Sequence, residues 1–483
     1  MGCPAKPLLP TFQPEPAMLQ IEGSSHSLCD RLSRREMLRI GGIGLGGLSL
    51  PSLLQHRAQG SANPPAKAKS VIVLFHSGGV GQHETWDPKP EGPAETRGAF
   101  GAIPTKTPGL FVGELMPKLA AMTDKLAVIR SMVTGDNAHS TSGYQMLTGM
   151  PHAPLNRENA PPGRPNDWPS INGIVQALRA SNDGIPSSIA LPRRLANNNG
   201  QDPWPGTDAG FLGRKHDPWL LECDPNDPKF TVPGGALPEE VSELRLNQRS
   251  SLLSQLNNHV AGIEQSAAGK SYDQYKQQAI ALVAGGKSRD AFDLSKESDQ
   301  TRDRYGRHKY GQSVLLARRL VETGVSLVQV QWVPVVGKDK PNGGGWDTHE
   351  KHNESIKGWL VPVMDQVTST LLQDLEDRGL LDETLVCIVS EFGHTPKFNG
   401  KGGRDHWGRV FSIALAGGGI RGGVVLGRSD RNAAEPVSDI IRPADYLATV
   451  FHLLGYDSHT MVHDIQNRPF PITKGKVIEQ VVG

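Results

Sequence analysis

Short apolar runs that alternate with helical segments constrain the fold of this 483-residue chain more than any other feature. Residues 70–75 and 384–389 are nearly continuous apolar runs, and residues 325–332 form a third, less apolar one. Such runs are typical of strands that a parallel sheet buries on both faces. Between two of them, residues 351–378 carry apolar side chains at spacings of three and four, which predicts an amphipathic helix. The alternation predicts an α/β fold, a doubly wound and mostly parallel sheet with helices on both faces.

The remaining segments follow the same pattern. Residues 69–478 are predicted to form a single domain, and the polar helical pattern over about residues 238–300 predicts a helical insertion outside the sheet. One long helix is predicted over residues 299–324, closed by Gly324. The other predicted elements are helices at 114–123, 170–180 and 443–454 and strands at 126–129, 187–191 and 410–416.

Composition excludes several classes of protein. The net charge of +1 argues against a nucleic-acid partner held by bulk charge. A hydrophobic content of 37% with 55 glycines and 37 prolines is typical of a loop-rich globular protein, and no stable membrane span is predicted after the N-terminal segment. Of four cysteines, Cys223 and Cys387 follow that segment, so one disulfide is possible but no disulfide framework is implied.

The N-terminal segment, residues 1–68, is predicted to be a signal and linker. Paired arginines at Arg34 and Arg35 precede a glycine-rich, weakly apolar stretch over residues 40–54. This pattern resembles a twin-arginine export signal, with cleavage expected between Ala58 and Ala68. The resemblance implies recognition by the twin-arginine export machinery and a periplasmic or secreted protein. The alternative is a basic patch before a short buried helix.

Acidic and imidazole side chains recur where predicted strands end. Because the carboxyl ends of parallel strands meet at one edge of a sheet, these side chains are expected to converge there. Carboxylates and imidazoles bind divalent metals such as zinc, calcium, magnesium or manganese. The alternative is that each is a solvated loop residue or helix cap. The candidate metal ligands are His76, Asp347, His349, Glu391, His394, Asp405 and His406.

Three further residues are candidates for catalysis. Ser140 lies at the start of a predicted short helix, where the helix dipole and a metal would favour a nucleophilic hydroxyl, although an N-cap role is the alternative. His139 precedes it and could add an imidazole to the metal site. Arg404 could hold an anionic group through its planar guanidinium, or it could form a surface ion pair with Asp405.

These motifs also carry a resemblance to a known family. The chain resembles the family labelled domain of unknown function 1501 over about residues 70–475, which is nearly all of the predicted domain. That family is placed in the alkaline-phosphatase-like superfamily, with sulfatases and phosphomutases as relatives. The stretches that carry the resemblance are residues 85–90, 139–149, 303–306, 346–349, 391–396, 403–407 and 466–469.

The resemblance implies a fold and a chemistry. Relatives have a large α/β sandwich in which one or two metals activate a serine, threonine or modified cysteine nucleophile. Glu391 is similar in position to a metal-binding aspartate of the relatives, and Asp347, His349 and His406 would complete the centre. The position of the sulfatase nucleophile holds His139, so modified-cysteine chemistry is not expected.

Two functions follow from the resemblance and the candidate ligands. The first is an exported metal-dependent hydrolase, similar to sulfatases or phosphatases, that acts on a small-molecule or glycan anionic ester. Because the nucleophile motif is not retained, the second is a non-catalytic exported protein that binds a glycan or a partner. A third, weaker possibility is a metal that only stabilises the fold.

Overall fold

The strands of this chain assemble mainly into one sheet. The computed structural model describes residues 63–179, 185–197, 200, 202–230 and 290–483. The strands within these residues are β1 (Ser70–Phe75), β2 (Ala102–Pro104), β3 (Phe111–Gly113), β4 (Leu126–Met132), β5 (Ser188–Leu191), β6 (Trp219–Leu220), β7 (Leu327–Gln331), β8 (Thr384–Val389), β9 (Gly393–His394), β10 (His406–Trp407), β11 (Phe411–Ala416), β12 (Val424–Leu426), β13 (Arg428–Ser429), β14 (Pro436–Ser438), β15 (Met461–His463) and β16 (Pro469–Pro471).

Eight of these strands form the central sheet, in the order β12-β4-β11-β8-β1-β7-β5-β6. Strand β11 runs antiparallel to β4 and β8, and every other neighbouring pair is parallel. The predicted mostly parallel sheet is therefore confirmed. The first strand has the predicted bounds, because an apolar run flanked by turns has little freedom in where it begins and ends.

Helices cover the connections between the strands. A single π-helical turn, Ile356–Leu360, joins the two pieces of the amphipathic helix predicted over residues 351–378, and Pro362 lies in the first turn of the second piece. The helices are α1 (Pro117–Ala120), α2 (His139–Thr148), α3 (Ile171–Leu178), α4 (Asp299–Tyr305), α5 (Lys309–Glu322), α6 (His352–Ser355), α7 (Val361–Asp377) and α8 (Pro443–Leu453).

The two faces of the sheet pack against different helices. In β1, Ile72 and Leu74 join a hydrophobic core that contains the apolar residues of α5 and α7. The alternate residues Val71, Val73 and Phe75 join a second core with residues of α2, α3 and α8. Successive side chains of a strand point to opposite faces, so the helices lie on both sides of the sheet, as predicted for a doubly wound fold.

Two predicted helices are wrong in extent. The single helix over residues 299–324 is two helices, α4 and α5, separated at Gly306, whose φ of 90° lies outside the helical region. His308 then begins α5, since its Nδ1 accepts the backbone N–H of Gly311. The helix predicted at 114–123 is reduced to α1 and a 3-10 turn at Thr123–Lys125.

Some predictions fall outside the described residues. The twin-arginine segment lies within residues 1–62, and most of the predicted insertion lies within residues 231–289. Within the described ranges, none of the helices combines the length and apolar character that a membrane span requires.

Candidate metal centre

Four imidazole and carboxylate side chains meet at the edge of the sheet where the parallel strands end. His139 is the first residue of α2, which follows β4. Asp347 and His349 lie in the long loop between β7 and α6. His406 belongs to β10, just before β11, and it reaches the same edge because β11 runs antiparallel to its neighbours. These four residues are called the candidate metal centre below.

Asp347 is the point at which the three imidazoles converge. Its Oδ2 is 3.2 Å from His139 Nε2, and its Oδ1 is 2.9 Å from His406 Nε2. In the described part of the chain, His139, Asp347 and His406 are the one group whose ligand atoms all lie within 4.8 Å of one another. His349 Nε2 adjoins this group, 3.0 Å from both Asp347 Oδ1 and His406 Nε2.

The other nitrogen of each imidazole has an acceptor of its own. His139 Nδ1 donates to Glu391 Oε1 at 2.8 Å, and His349 Nδ1 donates to Asp405 Oδ1 at 2.7 Å. His406 Nδ1 donates to the backbone oxygen of Asn137 at 2.7 Å. A carbonyl oxygen can only accept, and the two carboxylates accept when ionised, so each Nδ1 carries a hydrogen. Metal-binding histidines commonly have such partners, which fix the tautomer and the ring orientation.

This tautomer leaves three Nε2 lone pairs turned toward one carboxylate. Two neutral imidazoles cannot favourably face each other with lone pairs 3.0 Å apart, as His349 and His406 do, so the pair needs a proton or a cation. Zinc ligands lie about 2.0–2.1 Å from the ion, and donor atoms about 3 Å apart are spaced as neighbouring ligands of one ion. The residues present therefore fit a divalent metal.

Without a metal, protons take the place of the cation. Burial would lower the pKa of His139, but Asp347 and Glu391 outweigh it and raise that pKa to about 10. The hydrogen bond to Asp347 raises the pKa of His349 to about 9. Burial would raise the pKa of Asp347, but hydrogen bonds from His139, His349 and His406 hold it well below its usual range. The site thus binds positive charge strongly in either state.

Glu391 and Asp405, both predicted as ligands, contact the outer nitrogens of two imidazoles rather than the Asp347 carboxylate. Glu391 is fully buried, and its Oε1 also accepts the backbone N–H of Gly78 at 2.8 Å. Asp405 Oδ1 also accepts from Asn399 Nδ2 at 3.0 Å. In this geometry each carboxylate orients an imidazole, and neither belongs to the group of three whose ligand atoms converge.

Comparison with known proteins supplies the family. The model of the family described as "Protein of unknown function (DUF1501)" matches residues 68–482. The chain belongs to the DUF1501 family. No curated protein gives a significant match to this DUF1501 chain.

Solved structures show weaker likenesses to the DUF1501 chain. The PsFucS1 sulfatase from Pseudoalteromonas sp. is 15% identical with a TM-score of 0.36, covering 83% of this chain and 69% of its own. A protein in the alkaline phosphatase superfamily from Vibrio parahaemolyticus is 13% identical with a TM-score of 0.37. That match covers 87% of this chain and 72% of the other. The phosphonate monoester hydrolase SpPMH from Silicibacter pomeroyi is 9% identical with a TM-score of 0.38. That match covers 85% of this chain and 76% of the other.

The DUF1501 chain does not bring His76 and His394 into the converging group. His76 is fully buried among the rings of Tyr310, Trp332 and Trp346, and burial lowers its pKa to about 3. Its Nε2 lies 3.1 Å from the hydroxyl of Tyr310. His394 is fully buried too, burial holds its pKa well below the usual range, and its Nε2 is 3.3 Å from the backbone oxygen of Gly78.

Ser140 and Arg404 are both engaged by other groups. The Ser140 hydroxyl donates to the backbone oxygen of Arg157 and accepts the N–H of Ala160, at 3.1 and 2.9 Å. Arg404 is fully buried rather than at the surface, and it pairs with Glu84 Oε1 at 2.8 Å, so the alternative of a surface ion pair with Asp405 is wrong. Its remaining guanidinium hydrogens are donated to the backbone oxygens of Thr96, Thr395 and Pro396.

Sequence reasoning missed the aromatic walls of the DUF1501 site. The Trp204 ring stacks on His139 with centroids 6.1 Å apart, and the Phe392 ring stacks on His406 at 4.4 Å. Phe392 lies within the stretch 391–396, next to the candidate ligand Glu391, and this position is a sequence signal for it. Trp204 lies in a loop far from the motifs, and Asn137 acts through its backbone, so neither had a sequence signal.

Proposed function

We propose that this protein is a metal-dependent hydrolase of anionic esters, of the sulfatase or phosphatase type. The observation that carries the proposal is the convergence of three imidazole Nε2 atoms on Asp347 while every Nδ1 is held by an acceptor. The resemblance of the motifs to alkaline-phosphatase-like proteins also supports it. A bound divalent metal would lower the pKa of water at the site and stabilise negative charge that develops on an ester oxygen.

The donor set favours zinc among the four metals considered. Three imidazoles and one carboxylate suit zinc, whereas calcium, magnesium and manganese prefer ligand sets built from oxygen. His139, Asp347 and His406 would bind the metal, with His349 as the fourth ligand. Glu391 and Asp405 would keep two of the imidazoles in the binding tautomer.

Access to the centre is one-sided. The side chains of Asp347 and His349 are 40% and 43% exposed, whereas that of His139 is 9% exposed. We propose that the ester approaches over Asp347 and His349, while Trp204 and Phe392 keep water from the opposite side.

Water is the nucleophile in this proposal. The Ser140 hydroxyl is committed to Arg157 and Ala160, and the Arg404 guanidinium is committed to Glu84 and three carbonyl oxygens. Neither group is placed to attack or hold an ester without breaking buried hydrogen bonds, each of which costs about 1 kcal/mol or more.

The test combines metal content with turnover. We expect elemental mass spectrometry to find a stoichiometric metal in the full chain, and neither His406→Ala nor Asp347→Ala to retain it. His459→Ala, in an exposed histidine, is the matched control. The metal-loaded protein is then assayed on panels of sulfate and phosphate esters. Bound metal without turnover on either panel would contradict the hydrolase.

One observation favours a second candidate, a non-catalytic protein that binds a glycan or a partner. The engagement of Ser140 and Arg404 leaves no free side-chain nucleophile or anion clamp among the predicted catalytic residues. Glycan-array binding that survives His406→Ala, in a protein without turnover, would support this alternative.

We propose that the protein acts in the periplasm or is secreted by the twin-arginine route. The paired arginines Arg34 and Arg35 and the following apolar stretch support this proposal. Replacing both arginines by lysine should abolish export of the folded, metal-loaded protein to the periplasmic fraction, whereas replacing Lys6 should not.

A further inference from the structure

A second feature of the same sheet edge is a cavity of about 480 Å³ beyond strand β7. Residues of β5, β6 and β7 line it, and Arg193 and Arg194 follow directly after β5. In open α/β sheets, ligands bind outside the carboxyl ends of the strands. The volume falls within the range of small-molecule sites, about 300–1,000 Å³.

Amide groups with unused hydrogen-bonding capacity form the floor of the cavity. Asn172 and Gln331 are both 2% exposed, and both line it. Asn172 Nδ2 and Gln331 Oε1 have no hydrogen-bond partner within the described residues. A buried polar atom without a partner is costly, so a donor and an acceptor of this kind indicate that a polar occupant supplies the missing bonds.

Two arginines stand at the rim. Arg193 and Arg194 line the cavity, both are exposed, and neither has an ion-pair or hydrogen-bond partner in the part of the chain that the structure describes. A guanidinium recognises carboxylate, sulfate or phosphate groups through paired hydrogen bonds. The rim is therefore suited to an anionic group.

Three other charged residues also line the cavity. Asp208 and Asp217 each use one carboxylate oxygen to accept a backbone N–H, from Gly210 at 3.0 Å and Ala209 at 2.9 Å. Arg214 adds a third guanidinium. The cavity thus combines a net positive charge with carboxylate and amide acceptors, which suits a ligand that carries both an anionic group and several hydroxyls.

Trp204 connects this cavity to the candidate metal centre. Its ring stacks on His139, while the preceding Pro203 lines the cavity. The backbone N–H of Trp204 donates to the backbone oxygen of Leu195, another lining residue, at 3.1 Å. Helix α2 makes a second link, since it begins at His139 and its Leu147 also lines the cavity.

We propose that the cavity binds a hydroxyl-rich organic anion, a sugar acid or a sugar sulfate. This inference rests on the proposed function and deepens it by naming the class of substrate whose remote part the protein holds. Arg193 and Arg194 bind the anionic group, and Asn172 and Gln331 bind hydroxyls. The cavity and the metal centre are separate sets of residues, so their failures are distinguishable.

The test measures binding in the full-length, metal-free protein by isothermal titration calorimetry. The probes are galactose 6-sulfate and glucuronate, with galactose and inorganic sulfate as the neutral and purely anionic controls. We expect both anionic sugars to bind, and the Arg193→Ala/Arg194→Ala variant to bind them about 10- to 100-fold more weakly. Gln331→Leu should weaken binding by about tenfold without a change of charge.

Matched variants separate the outcomes. Arg428→Ala, in an exposed arginine on β13, should bind the probes as the unaltered protein does. His406→Ala should lose the metal and keep sugar binding, so an inactive metal centre would leave this inference standing. Equal weakening by Arg428→Ala, binding of inorganic sulfate alone, or no binding of either anionic sugar would each overturn it.

Discussion

The candidate metal centre and the cluster around Arg318 both join charged side chains from distant parts of the chain, but only one of them balances its own charge. Arg318 is fully buried and pairs with Glu297, Glu322 and Asp374 at 2.7, 2.6 and 2.9 Å. Arg319 and Arg378 contact the same carboxylates. Three arginines thus face three carboxylates.

The candidate metal centre, taken together with Glu391 and Asp405 that orient two of its imidazoles, has the same number of carboxylates and no permanent cation. Among the titratable groups of the described residues, Asp347, Glu391 and Asp405 contact only imidazoles, and a neutral imidazole does not offset a carboxylate. Its positive charge must come from protons or from a metal. The Arg318 cluster is neutralised by its own arginines, whereas the carboxylates at the candidate metal centre need protons or a metal, which supports the proposed metal site.

The largest expected effect is the loss of the metal. In Asp347→Ala the three Nε2 atoms lose the carboxylate on which they converge, so stoichiometric metal should fall to background. Added zinc should then leave the melting temperature unchanged, whereas it should raise that of the unaltered protein by mass action. Retention of the metal by this variant would contradict the claim that the metal binds at Asp347, and with it the contrast to the Arg318 cluster.

The corresponding substitution in the cluster around Arg318 should change stability and leave metal content unaltered. Arg318→Met removes the central cation, and breaking a buried ion pair costs about 3–5 kcal/mol. We expect about 3 kcal/mol, the lower end, because Arg319 and Arg378 still contact Glu297 and Asp374. Urea unfolding measures the loss.

The controls for that change are metal content and an exposed arginine. Metal content should be unaltered in Arg318→Met. Arg307→Met, at an arginine that pairs with exposed Asp299 and Asp303, should leave stability nearly unchanged. Loss of metal in Arg318→Met would mean that the two clusters are not independent.

A smaller effect is expected one step from the metal. Asp405→Asn keeps the shape of the side chain but weakens its hold on His349 Nδ1, and such changes typically reduce metal affinity about 10- to 100-fold. Competition with a chelator measures the affinity. Asp430→Asn, in a loop aspartate that caps backbone N–H groups, is the control. Unchanged affinity in Asp405→Asn would remove His349 from the proposed ligands.

The pH dependence of the metal-free protein should separate the clusters further. His139 and His349 have pKa values raised to about 10 and 9, above the usual 6.5, so their stabilisation is complete below pH 6.5 and is lost as pH rises through 9 to 10. Arginines do not titrate there, so the guanidinium of Arg318 adds nothing to this loss. Melting temperature should fall from pH 7 to pH 10, and less so in His349→Gln. Equal slopes of melting temperature against pH in the two proteins would contradict the proposed interaction of His349 with Asp347.

The fold was largely predictable because its strands are short apolar runs with little freedom in position. Residues 384–389 form the predicted strand, and the predicted 410–416 is observed at Phe411–Ala416. The direction of β11 was not predictable, since an apolar run has the same pattern in a parallel or an antiparallel strand. The break at Gly306 was missed because helical periodicity continues across it.

The site was predictable as a neighbourhood but not in its roles. Asp347, His349 and His406 were predicted to lie together because each is near a strand end at the same edge of the sheet, which the topology of the sheet determines. Whether a carboxylate binds a metal or orients a histidine depends on about one ångström of side-chain placement, so Glu391 and Asp405 could not be assigned. Arg404 finds its partner Glu84 at a separation of 320 residues, which no local pattern reveals.

The smallest expected effect concerns Ser140, the predicted nucleophile. Ser140→Ala removes the acceptor of the Ala160 N–H and should cost about 1 kcal/mol of stability. Because its hydroxyl is already engaged, turnover of an ester found by the panels should stay within about twofold, or about 0.4 kcal/mol. Thr141→Val, which removes a buried hydroxyl bonded to Asp136, is the matched control. A loss of more than about 100-fold in kcat with intact metal content would contradict this expectation. It would show that the Ser140 hydroxyl leaves Arg157 and Ala160 to attack the ester. The hydrogen bonds of a hydroxyl at this helix start would then be a poor guide to its chemistry.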